Sequence, residues 1–253
     1  MKLAEKKSQI LTQLPVKLWK ILNVVMDLLN FVQTRIQMYT SKPFYKILFT
    51  MSLCLMVLSL NSQNITAKKV VVIDPGHGGE DSGAIGINGI MEKDIVLSIA
   101  KKMDRLNKNT KSNFEIYLTR YKDTLISLSD RTRLANMLKA DLFISLHCNQ
   151  SENQKARGVE VYVSANGGSF LRESVLLAYK LEKQMKTKLG LKSRGVKFGD
   201  FQVLRETHHN CPTVLVEVGF LSQKEEAIYF NKEASKHFIA IVILQSINKF
   251  SGL

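Results

Sequence analysis

The chain has 253 residues, with 36 basic and 22 acidic side chains and a net charge of +14. A hydrophobic content of 45% is ordinary for a globular protein, which argues against disorder and allows one or two domains. The positive charge favours polyanionic surroundings, but no arginine–aromatic interleaving or nucleic-acid motif accompanies it. No nucleic-acid partner is therefore expected, and an anionic cell-wall polymer fits the charge equally well.

Residues 1–41 are basic and mildly amphipathic, with Leu18, Ile21, Val24, Val25, Leu28 and Leu29 at helical spacing. Lys42-Pro43-Phe44-Tyr45-Lys46 follows, then fourteen apolar or small residues, Ile47 to Leu60, then Asn61-Ser62-Gln63-Asn64. A basic flank, a short apolar core and a small polar end make residues 42–64 a secretory signal peptide. Fourteen residues are too few for a comfortable span, so the mature form is expected to carry no stable membrane span. An uncleaved anchor is the competing reading. The expected location is exported, in the periplasm or cell envelope. The signal starts only at residue 42, and Met38 lies just upstream. Residues 1–37 are therefore read as coming from an upstream start codon; peptides from them in the mature protein would contradict this.

From Lys68 onward strands and helices alternate. Lys69–Asp74 is an apolar run stopped by Pro75 and Gly76. Glu92–Asn107 is a helix with Ile95, Ile99, Met103 and Leu106 on one face. Phe114–Arg120 reads as a strand. Leu128–Leu138 reads as a helix, with Ser129 or Asp130 as its cap. Asp141–His147 and Gly158–Ser164 are further strands, and Ser169–Leu189 is a long helix stopped by Gly190. Phe201–Arg205 is expected as a short strand and Thr213–Val218 as a buried one. Helices over Gln223–Phe230 and Glu233–Phe250 close the chain. The expected fold is α/β: a single domain over residues 66–253, with a mostly parallel twisted sheet and helices on both faces. Cys54, Cys148 and Cys211 match no metal or disulfide framework, and buried free thiols are expected.

Four residues at strand ends and loops bear chemistry. His77 lies just past the first strand, among glycines that let the backbone bend and approach closely. His147 ends the third strand, Glu217 lies in the last long one, and Glu92 opens the helix after the glycine loop. Two histidines and a carboxylate are a catalytic zinc set, and a further glutamate is what a zinc hydrolase uses to take a proton from water. Each residue has a plainer reading. His77 would hydrogen-bond its own turn, His147 would be a satisfied core histidine, and Glu92 would answer the helix dipole. Glu217, inside TVLVEVGF, is harder to dismiss, because an unpaired carboxylate there is costly.

At these residues the chain resembles the zinc-dependent N-acetylmuramoyl-L-alanine amidases. The matching segments are VVVIDPGHGGEDSGAIG (70–86), MEKDIVLSIA (91–100), TRYKDTLISLSDRTRLAN (119–136), ADLFISLHCN (140–149), RGVEVYV (157–163), RGVKFGDFQVLRET (194–207) and PTVLVEVGFLS (212–222). The resemblance implies that His77, Glu92 and His147 bind Zn2+, that Glu217 is the catalytic acid-base, and that the substrate is peptidoglycan. It implies cleavage of the amide between N-acetylmuramic acid and L-alanine. Asp74 is a candidate acceptor bracing His77, or a shaper of the Pro-Gly turn. Asn149 and Arg205 are candidate substrate contacts. His208 and His209 are expected in a loop, and His237 in the last helix, away from the site. Gln223 stands where the family usually has asparagine. Only about a dozen residues separate the VEVYV strand from the body of the next helix, which leaves no room for the autoinhibitory helix some family members insert. A monomer is expected. The alternatives are another zinc peptidase or amidohydrolase, or a non-catalytic wall-binding module of the same fold.

Overall fold

Apolar runs rich in valine and isoleucine form the centre of the sheet, as strands buried on both faces require. The computed structural model describes residues 16–37, 47–53, 68–110 and 112–251. Two units divide the chain, residues 1–66 and 67–253. In the first, helix α1 spans Val16–Gln37 and a further helical segment spans 47–53. Met38, Cys54 and both ends of the expected signal peptide lie outside the described residues. Among those described, no helix is long and apolar enough to cross a membrane.

The second unit is a six-stranded sheet. Its strands are β1 (Lys69–Pro75), β2 (Phe114–Leu118), β3 (Leu142–Asn149), β4 (Val159–Ser164), β5 (Ser193–Gly199) and β6 (Thr213–Phe220). They lie in the order β2-β1-β3-β6-β4-β5. All neighbours are parallel except β4 and β6, which run antiparallel. The helices of this unit are α2 (Glu92–Lys108), α3 (Leu128–Met137), α4 (Leu171–Leu189), α5 (Gln202–Arg205), α6 (Lys224–Asn231) and α7 (Glu233–Ser251). Successive strand residues point to opposite faces, so each strand feeds two cores. Val71, Ile73, Ile144, Leu146, Val214 and Val216 join one, beneath α2, α4 and α7. Val72, Phe143 and Leu215 join the other, with Ala135 from α3 and Val203 and Leu204 from α5. Helices thus cover both faces, as expected.

Two expectations need correction, and one strand was unforeseen. Phe201–Arg205 is not a strand: Gln202–Arg205 is a helical turn whose Val203 and Leu204 are buried. Ser193–Gly199 is an edge strand that the periodicity does not reveal, because none of its residues is fully buried. The cap of α3 is neither Ser129 nor Asp130 but Ser127, whose hydroxyl accepts from the Asp130 amide at 3.1 Å. Other local signals hold. Gly190 ends α4 in the left-handed region at φ 69°, and Gln223 caps α6 by accepting from the Glu226 amide at 2.7 Å. Cys148 and Cys211 are buried free thiols in opposite cores, so they cannot pair.

Candidate metal centre

The site lies where β1, β3 and β6 end together, the usual ligand position in an open α/β sheet. Parallel register sets His147 beside Glu217, and antiparallel register sets Glu160 on the other side of Glu217. These residues alternate in phase with Phe143 and Leu215, so they share the face covered by α3 and α5.

His77, Glu92 and His147 converge: one ligand atom from each lies within 4.8 Å of the others. Glu92 Oε1 is the focus, 3.1 Å from His77 Nε2 and 2.9 Å from His147 Nδ1. Two backbone amides fix that carboxylate, Cys148 N on Oε1 at 2.9 Å and Ala84 N on Oε2 at 2.8 Å. Burial works against its charge, yet hydrogen bonds from His147 and His77 hold its pKa down at about 2. Burial likewise opposes the charge of His77, but Glu92 and Asp81 raise its pKa to about 9.

The loop between β1 and α2 makes this convergence possible. A Cβ on Gly76 would stand 2.2 Å from His147 Cε1, and one on Gly83 would stand 2.5 Å from Glu92 Oε2. Only hydrogen fits at either place. His77 itself has φ 58°, a conformation uncommon outside glycine. Two arginines hold the loop. Arg131 donates to Asp74 Oδ1 at 2.7 Å, to the Pro75 carbonyl at 2.8 Å and to the His77 carbonyl at 2.9 Å. Arg120 donates to the Pro75 carbonyl at 3.0 Å and to the Gly76 carbonyl at 2.8 Å.

Asp74 therefore does not brace the His77 ring. It accepts from Arg131, Thr119 and Ser145, and so shapes the turn. The partner of His77 Nδ1 is Asp81, at 2.8 Å, which the sequence reading did not weigh. Asn149 donates to Glu160 at 3.2 Å. Arg205 pairs with Asp200 at 2.8 Å on the outside of α5 and does not line the site pocket. His208 and His209 bond Ser164 and Ser169 away from the centre.

Glu217 lines the same pocket as His77 and His147, a cleft of about 670 Å³. Its Oε2 is buried and, among the described residues, has no hydrogen-bond partner. Burial, with the nearby Glu92 and Glu160 charges, pushes its pKa up to about 7 against the pull of His147. Leu125, Leu128 and Phe201 also line the cleft.

The N-acetylmuramoyl-L-alanine amidase family profile matches residues 71–249. The chain belongs to this family. It is 39% identical over 191 residues to the endolysin of Bacillus phage SPP1, covering 73% of this chain and 69% of that protein. It is 32% identical over 221 residues to the N-acetylmuramoyl-L-alanine amidase AmiA of Escherichia coli, covering 71% of this chain and 75% of AmiA. Among solved structures it resembles the catalytic domain of CwlV, an N-acetylmuramoyl-L-alanine amidase from Bacillus (Paenibacillus) polymyxa var. colistinus. That match has a TM-score of 0.66 and 36% identity, and spans 73% of this chain and 98% of that one. The amidase thus hydrolyses the bond between N-acetylmuramic acid and L-alanine in peptidoglycan, and its His-Glu-His cluster is a possible metal site of the kind this family carries.

Proposed function

We propose that the amidase works with a zinc ion held by His77, Glu92 and His147, and that Glu217 is its catalytic acid-base. The observation that carries this reading is Glu217 Oε2, a buried oxygen with no hydrogen-bond partner among the described residues, in the pocket that also holds His77 and His147. Two imidazoles and one carboxylate are a donor set that zinc accepts in hydrolases, with a position left open. When bound, zinc there supplies Lewis-acid chemistry, acidifying a water molecule and polarising the scissile carbonyl.

The chain's own residues do the rest. Asp81 holds the Nδ1 proton of His77, which leaves Nε2 as the ligating atom. The amides of Ala84 and Cys148 keep the Glu92 carboxylate in place. Glu217 takes the proton of the attacking water, and a carboxylate poised near pH 7 can do so and still give the proton back. It returns that proton to the departing alanine nitrogen. A non-catalytic module of this fold would be expected to lack a ligand or Glu217, and this chain keeps all four.

Residues 66–253 form the catalytic unit in this reading, exported by the signal at 42–64 and working as a monomer. Residues 165–170 alone join β4 to α4, and none of them lines the pocket, which supports an enzyme without an inserted autoinhibitory helix. Glu217→Ala tests the assignment of roles. The variant is expected to keep its metal by elemental analysis and to lose peptidoglycan hydrolysis by at least about a hundredfold. Wild-type turnover by the variant would contradict the role of Glu217.

A further inference from the structure

A second charged group stands beside the centre. Glu160 is buried, and its carboxylate accepts from Lys197 at 2.7 Å, from the Tyr162 hydroxyl at 2.7 Å, from Asn149 at 3.2 Å and from Arg194. One carboxylate thus meets two cations, and the cluster keeps a surplus positive charge. Both cations come from β5, the edge strand, and their side chains are 32% and 36% exposed. Glu160 pairs in register with Glu217, and Lys197 with Tyr162 two residues further along β4, so His147, Glu217, Glu160 and Lys197 share one face of the sheet. The Arg194 guanidinium lies 5.0 Å over the Phe220 ring. Among the described residues its two terminal nitrogens make no hydrogen bond.

We propose that Arg194 and Lys197 form an anion-binding ledge that takes a carboxylate of the stem peptide; this rests on the reading of Glu217 and the metal centre given above. Charge decides which half of the substrate lies there. The lactyl carboxyl of muramic acid is consumed in the scissile amide, so the anionic groups near that bond belong to the peptide. Reach decides the position. Neighbouring strands lie roughly 4.8 Å apart, so β5 stands about 10 Å from the Glu217 strand, or about three residues of extended chain. The ledge therefore meets the second or third residue of the stem, whose carboxylate comes from an acidic second residue or a diamino-dicarboxylic third one. Glu160 is a positioning residue: it fixes both cations on the β5 edge rather than touching the peptide.

The test uses the full chain with zinc and four defined muramyl peptides. They carry a free carboxylate or a carboxamide at the second residue, and a third residue with or without a side-chain carboxylate. Wild-type enzyme is expected to favour one carboxylate over its neutral counterpart by about tenfold in kcat/KM, chiefly through KM. The pair that shows the preference identifies the position. In Lys197→Gln and Arg194→Gln that ratio falls towards one, and in Lys197→Arg it is kept. A merely structural role would slow all four substrates alike and leave the ratio unchanged, which would overturn the proposal. Should the glutamine variants fail to fold, the wild-type ratio still decides: no preference for either carboxylate overturns the ledge. Failure to hydrolyse any of the four would instead overturn the reading of the centre.

Discussion

Glu92 Oε1 is the atom on which the site converges, because two imidazole nitrogens and a backbone amide all point to it. Without metal, His77 faces carboxylates on both ring nitrogens, Asp81 on one side and Glu92 on the other. Its pKa of about 9 follows from those two partners, which outweigh burial. At neutral pH the metal-free protein therefore holds a proton that a metal must displace. Zinc binding is expected to release protons at pH 7.5, and to weaken as pH falls below about 9. Calorimetry in buffers of different ionisation enthalpy reads this directly, and identical heats in every buffer would contradict it. Gly76 provides a second check at this scale. Gly76→Ala places a methyl against the His147 ring, so metal content and hydrolysis are both expected to fall while the fold survives by circular dichroism. His77, His147 and Glu217 stood out in the sequence by residue type at or near strand ends, and Glu92 as the residue that opens the next helix. Asp81 did not, because an aspartate in a glycine loop has many ordinary uses. Glu160 did not either, because its cations arrive from an edge strand more than thirty residues away.

At the scale of elements, the glycine loop is fixed from outside itself. The Asp74–Arg131 pair is nearly fully buried, at 1% and 3% side-chain exposure, and ties β1 to α3. Removing one partner leaves an uncompensated buried charge, so Arg131→Met is expected to cost about 3–5 kcal/mol. Urea unfolding measures it; a loss below about 1 kcal/mol would show the pair to be dispensable. The buried strands β1, β3 and β6 were legible because continuous apolar runs end sharply at glycine, proline or a chemical residue. β5 was not, because SRGVKFG is a half-exposed edge with two glycines and lacks alternation. FQVLR misled because four residues of mixed pattern fit a strand or one helical turn equally, and packing of Val203 and Leu204 decides.

Across the whole molecule, residues 65–253 carry a net charge of +8, and Arg194 and Lys197 on the edge strand β5 are part of its basic side. A basic enzyme is drawn to an anionic wall over distances longer than any contact, and salt weakens that attraction. The sheet order brings residues 77, 92, 147 and 217 to one end of one domain although 140 positions of chain separate the first from the last. No local pattern could show that convergence; the parallel register does. Metal-dependent cleavage at the muramic acid–alanine bond can be decided by one digest. Purified peptidoglycan is treated with the enzyme, with the chelator-stripped enzyme, and with the stripped enzyme after zinc is restored, and the products are weighed by mass spectrometry. Free L-alanine amino termini beside an intact glycan are expected in the first and third digests, and no new amino termini in the second. Cleavage that persists after stripping, or fragments cut within the peptide or the glycan, would contradict it.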